Sequence, residues 1–136
     1  MRAAEAFLDT NVLVYLVSGD AARANAAEAL LARGGHHVSV QVLNEFASVG
    51  RRKAGLSWDD IAEVVGVVRR ACTVHALTER THERACEAAR RHGFEFYDAS
   101  IVASALLAGC RVLYSEDFNP GQRIDGQLVV RNPFAR

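Results

Sequence analysis

The 136-residue sequence holds one lysine, two prolines, three cysteines and no apolar run near the roughly 20 residues needed to cross a bilayer. Each scarcity removes a class of explanation. So few prolines, with half the residues apolar and 24% charged, exclude a collagen, a linker or a disordered tail. Cys72, Cys86 and Cys110 are odd in number and lack CxxC spacing. They read as reduced, buried thiols, and neither a disulfide framework nor a zinc site is expected. Glu5 and Asp9 interrupt the N-terminal segment, which lacks a signal peptide's apolar core, so a cytoplasmic protein without a membrane segment is expected. Sixteen basic residues cancel sixteen acidic ones, leaving no net basic field of the kind a sequence-independent nucleic-acid binder shows. Aromatics, at 7%, are too few for a platform of stacked bases.

What is present is an alternation of short apolar strands with helices. Phe7 and Leu8 form a strand that ends at Asp9, and a helical run follows from Val12 to Val17. Asp20 caps a helix carrying Ala24, Ala27, Leu30 and Leu31, stopped by Gly34 and Gly35. Val38 and Val40 flank Ser39 as a brief strand, and Gln41 to Lys53 carries an apolar helical face with Glu45 beside it. Ser57 and Asp60 form a capping box before Ile61, Val64, Val65 and Val68. Val74 marks another strand, and Thr78 opens a polar helix reaching His92. Asp98 is placed to cap a helix from Ala99 to Ala108, apolar on all sides and hence central. Val112 to Tyr114 and Leu128 to Val130 read as late strands, separated by a polar stretch from Asn119 to Gly126. The pattern predicts one α/β domain over residues 1–136, with a parallel sheet of about four to five short strands flanked by helices on both faces. In such sheets the functional crevice lies beyond the carboxyl ends of the strands.

Four acids stand where their neighbours predict core: Asp9, Glu45, Asp98 and Asp117, separated along the chain by 36, 53 and 19 residues. Singly, each has an ordinary structural explanation: Asp9 and Asp98 as helix caps, Glu45 as a rim residue, Asp117 as a turn former. Brought together they could not all remain ionised in a dry pocket, and a divalent cation removes that conflict. Mg²⁺ or Mn²⁺ suits an all-oxygen set and can activate water for phosphoryl transfer. A carboxylate can then accept the proton, so His36, His37, His75, His82 and His92 are read as structural or exposed.

The motifs around these acids resemble those of PIN domains, the nuclease fold of VapC-like toxins in type II toxin–antitoxin pairs. Phe7 to Leu13 resembles the family's opening motif; Asn44, Glu45 and Phe46 the second; Tyr97 to Ile101 the third; and Ser115, Glu116 and Asp117 stand for its Thr-x-Asp. The likeness runs to Asn132, Pro133 and Phe134. It implies a PIN-like α/β fold and a Mg²⁺- or Mn²⁺-dependent endoribonuclease that cuts single-stranded RNA, leaving a 5′ phosphate and a 3′ hydroxyl. Asp9, Glu45, Asp98 and Asp117 would be the metal-binding and catalytic set. Thr10 and Ser115 would be supporting hydroxyls, with Asn11 outside the site as a capping residue. The serine at 115 keeps the hydroxyl of the usual threonine, and the adjacent acids leave open whether Glu116 or Asp117 faces the metal. A homodimer held by a small antitoxin protein is implied as well.

With those four acids set aside the rest of the chain carries a surplus of four positive charges, and Arg51, Arg52 and Lys53 form the tightest cluster. They read as RNA-backbone contacts or as a helix end complementing its dipole. Val12, Leu13, Leu16, Leu30 and Leu31 supply more apolar surface than a small sheet requires, so some of them are expected to face a partner. A phosphoacceptor receiver would need a lysine after a late strand, whereas Lys53 lies mid-chain. An aspartyl phosphatase would need an aspartate where Asn11 stands. A non-catalytic PIN module acting in protein binding and a housekeeping RNA-processing nuclease remain as alternatives.

Overall fold

The computed structural model describes residues 5–134, so the first four and last two positions of the expected 1–136 domain lie outside the described residues. In chain order the elements are β1 (Ala6–Leu8), α1 (Thr10–Leu16), α2 (Ala21–Ala32), β2 (His36–Ser39), α3 (Val40–Arg52), α4 (Trp58–Ala71), β3 (Cys72–His75), α5 (Glu79–His92), α6 (Phe96–Leu107), β4 (Val112–Tyr114), β5 (Arg123–Ile124) and β6 (Leu128–Arg131).

The strands form one sheet in the order β3-β2-β1-β4-β6-β5. Every pairing is parallel except β5 with β6. Successive strand residues face opposite sides, and Ala6, Phe7 and Leu8 are all buried, so both faces of the central strand are covered. Helices α1 to α4 contact one another, while α5 pairs with α6. The eight residues from Ala99 to Leu106 are all buried, which makes α6 the central helix its composition predicts. No helix among the described residues is long and apolar enough to span a membrane.

Local chemistry sets most boundaries. Asp20 accepts the Arg23 N–H, Ser57 and Asp60 complete the capping box of α4, and Thr78 caps α5, which Gly93 ends with a left-handed φ of 72°. Three expectations are corrected. Val40 is not in a strand: Ser39 ends β2 and caps α3 by accepting the Val42 N–H. Asp98 does not cap α6; Glu95 does, accepting the Tyr97 and Asp98 N–H groups at 3.0 and 3.4 Å, so α6 begins at Phe96 and Asp98 sits in its first turn. The stretch from 119 to 126 contains a sixth strand. Asp125 and Gly126 both take positive φ and form a hairpin turn in which the Gln127 N–H meets the Ile124 carbonyl at 3.1 Å, so β5 lies antiparallel on β6 and buries Ile124.

The core runs from Phe7, Leu8 and Leu13 through Phe46 and Ile101 to Leu113 and Leu128. Val12, Leu13 and Leu30 belong to it and do not form a free partner surface; Leu31, at its edge, and the partly buried Leu16 line an apolar surface cavity. The thiols differ from one another: Cys110 is buried as expected, whereas Cys72 is half-buried and Cys86, on α5, is exposed.

Candidate active site

Asp9 immediately follows β1 and caps α1. Its Oδ1 accepts the Thr10 N–H and its Oδ2 the Ser115 hydroxyl, both at 2.7 Å. Capping and site are therefore compatible roles for one carboxylate. Ser115 follows β4, which lies beside β1, and its backbone N–H is tied to the Arg131 carbonyl on β6. That hydroxyl is a hub: it donates to Asp9 and accepts from the Asp117 N–H at 3.0 Å and from Asn11 Nδ2 at 3.3 Å.

Glu45 arrives from α3. Its Oε2 accepts the Thr10 hydroxyl at 2.5 Å, and its Oε1 accepts Gln41 Nε2 at 3.3 Å. The same Gln41 amide donates to the Tyr97 carbonyl at 2.9 Å, joining α3 to the start of α6 beside Asp98. Asp9, Glu45, Asp98 and Asp117 all line one cavity of about 500 Å³, with Thr10, Asn11, Tyr15, Ser48, Arg52 and Lys53 also in its wall.

The electrostatics are those of like charges crowded together. Burial raises the Asp9 carboxyl from 3.8 to about 7; the bonds from Ser115 and Thr10 oppose the rise, and Asp117 and Asp98 add to it. Asp98 is also raised, first by burial and then by Glu95, Asp117 and Glu45. Among the described residues, the ion pairs involve none of the four acids. Neutral donors hold Asp9, Glu45 and Asp117 instead.

The donor set fits a hard divalent cation in chemistry: carboxylate oxygens with hydroxyls nearby, and two acids whose ionisation burial and like charge oppose. Among the described residues, no three His, Cys, Asp or Glu side chains stand in a ready-made metal-holding group. Mg²⁺ is compatible with that, because it keeps several waters and usually takes one or two carboxylates plus substrate oxygens.

Several sequence readings are sharpened or corrected here. Asp117 lines the cavity, whereas Glu116 turns to the Tyr15 hydroxyl and lies 3.8 Å from Arg23. Asn11 was expected outside the site. Because Asp9 does the capping, the Asn11 amide is free to donate to Asp117 Oδ2 at 3.1 Å. Arg52 and Lys53 line the cavity, but Arg51 donates to the Leu56 carbonyl and stacks over Trp58 at 5.0 Å, away from its expected companions. None of the five histidines lines the cavity; His36 is buried against the Leu30 carbonyl, and His37 bonds His75 at 2.8 Å. Sequence reasoning missed Gln41, Ser48 and Tyr15. Gln41 and Ser48 were accessible from helical spacing, lying four before and three after Glu45.

A mostly parallel α/β sheet with four carboxylates gathered in a cavity beyond its strand ends defines the class. The chain belongs to the PIN domain family, whose model matches residues 6–125. Among solved structures it is similar to a sarcin–ricin loop-cleaving toxin, VapC20 of Mycobacterium tuberculosis, with TM-score 0.70 and 24% identity over 84% of this chain and 91% of that one. It is also similar to a chain of a toxin–antitoxin complex from Klebsiella pneumoniae, with TM-score 0.71 and 20% identity over 94% and 97%. A third likeness is to VapBC2 from Rickettsia felis bound to a promoter DNA fragment, with TM-score 0.67 and 18% identity over 94% and 98%. At these identities the likenesses establish the fold. No curated protein matches significantly.

Proposed function

We propose that the protein is a single-domain endoribonuclease, dependent on Mg²⁺ or Mn²⁺, that cuts single-stranded RNA as the toxin of a toxin–antitoxin pair. The observation that carries this reading is the convergence of four carboxylates, from four separate chain segments, on one cavity, none of them in a salt bridge among the described residues. Of Asp9, Glu45, Asp98 and Asp117, one or two would hold the ion directly and the others through its waters. The chemistry such an ion supplies when bound is neutralisation of the acids and a more acidic water for attack on phosphorus. Ser115 orients Asp9, Thr10 orients Glu45 and Asn11 orients Asp117, each through a neutral hydrogen bond. Arg52 and Lys53, at the end of α3 and in the cavity wall, attract the RNA backbone.

The toxin role draws on the fold shared with toxins and toxin–antitoxin complexes. A small antitoxin protein, a homodimer and a cytoplasmic setting belong to the same reading. An apolar cavity of about 410 Å³ lined by Leu16, Leu31, Val64 and Val67 supports a protein partner of this kind. The direct test incubates the purified protein with single-stranded RNA in Mg²⁺, Mn²⁺ or EDTA. Cleavage in either metal, abolished by EDTA and by Asp98→Asn, is expected. Equal cleavage in EDTA, or full activity of Asp98→Asn, overturns the proposal.

A further inference from the structure

Helix α3 borders two cavities at once. Glu45 and Ser48 line the acidic cavity and also a second one of about 290 Å³, completed by Gln41, Asn44, Leu77 and Tyr97. Tyr97 is 60% exposed and Leu77 43%, although Tyr97 lies two residues before the buried run of α6 that starts at Ala99. Its position is well determined. The Tyr97 N–H donates to Glu95, its carbonyl accepts Gln41 Nε2, and its ring meets Phe96 edge-on with centroids 5.8 Å apart. Because Gln41 also holds Glu45, one amide ties the Tyr97 backbone to a side chain of the acidic cavity.

We propose that the second cavity receives one nucleobase of the RNA, that of a nucleotide flanking the cleaved phosphate, stacked on Tyr97 and packed against Leu77. The inference rests on the ribonuclease reading and names where its substrate lies. Charge separates the two paths. Arg52 and Lys53 line the acidic cavity and not the second one, so the anionic backbone is drawn to the first and the uncharged base is the part of a nucleotide that fits the second. An aromatic ring, an aliphatic side chain and the Asn44 and Gln41 amides form the surroundings in which an unstacked base is bound by its face and read at its edge. The scarcity of aromatics excludes a long stacking platform, but a single base needs a single ring.

The test uses the full chain and a pool of short single-stranded RNAs, each carrying one 2-aminopurine, with Ca²⁺ replacing Mg²⁺ to slow turnover. Wild-type protein is expected to quench the fluorophore at one position; Tyr97→Ala loses the quench and Tyr97→Phe keeps it. In Mg²⁺, Tyr97→Ala should raise KM about tenfold with kcat nearly unchanged, the size expected for one lost base stack. An equal quench by wild type and Tyr97→Ala, or no quench at any position, overturns the base site. So does conversion of a dimer to a monomer by Tyr97→Ala in sedimentation, which would make the face an interface between copies. Absence of cleavage by wild type in both metals with the Tyr97-dependent quench retained counts against the ribonuclease reading and leaves a base-binding site, whereas cleavage without that quench counts against the base site alone.

Discussion

Asp125 and Asp9 are both carboxylates held by the fold, yet their surroundings are opposite. Asp125, in the left-handed turn between β5 and β6, faces Arg84, Arg91 and His92, the last two at 3.0 Å. The Arg84 bond, ahead of His92 and Arg91, holds its carboxyl far below the usual range. Asp9 faces neutral donors and other acids, and its carboxyl is pushed up to about 7. A carboxylate that fixes a turn is given cations. In the acidic cavity Arg52 and Lys53 stand in the wall, but none of the four acids is ion-paired among the described residues, and the charge of Asp9 is opposed by burial and not stabilised.

The largest effect expected on this contrast comes from Asp9→Asn. RNA cleavage in Mg²⁺ should fall by more than about a hundredfold, beyond the 10- to 100-fold typical of residues that only orient a metal ligand. Next is Ser115→Ala, which removes the hydroxyl donating to Asp9. A loss of about 10- to 100-fold in apparent Mg²⁺ affinity, read from metal titration of activity, is expected with the fold retained. Unchanged titration would remove Ser115 from the site.

A third effect is on metal-free stability. With Asp9 raised from 3.8 to about 7, the folded state binds more protons than the unfolded state between those values, so stability falls as pH rises through that window. The slope is at most about 1.4 kcal/mol per pH unit. In EDTA, the thermal midpoint of wild type relative to Asp9→Asn should drop from pH 4 to pH 7; a flat difference breaks the argument. The smallest effect is at Asp125. Asp125→Asn keeps a side chain that tolerates positive φ but removes the charge facing the two arginines, costing about 1–2 kcal/mol at pH 7 with cleavage unaffected. Here the sign is reversed. The depressed carboxyl stabilises the fold above the ordinary aspartate range, and that contribution is lost as pH falls below it. Denaturant melts of the two proteins should therefore converge in acid.

Much of this architecture was legible beforehand because its causes are local. Ser57 with Asp60, Thr78 and Gly93 mark helix ends within one turn, and the apolar run of α6 announces a central helix wherever it packs. The strand at Arg123–Ile124 was hidden because two residues carry no periodicity, and only pairing with β6 makes them a strand. Glu95 was overlooked as a cap because Asp98 is the more usual residue type for that role.

Residue chemistry alone established which acids are out of place among apolar neighbours and the order of the helices and of every strand but β5, and the motifs around those acids carried the resemblance to a nuclease family. Tertiary structure decided which side chains meet. It sent Asp117 to the cavity and Glu116 to Tyr15, brought Asn11 inside, and turned Arg51 onto Trp58 while leaving Arg52 and Lys53 in the cavity wall. The reason is the span of the contacts. Ser115 reaches Asp9 across 106 positions and Gln41 reaches Tyr97 across 56, and such bonds follow from which strands lie side by side and which helices pack together.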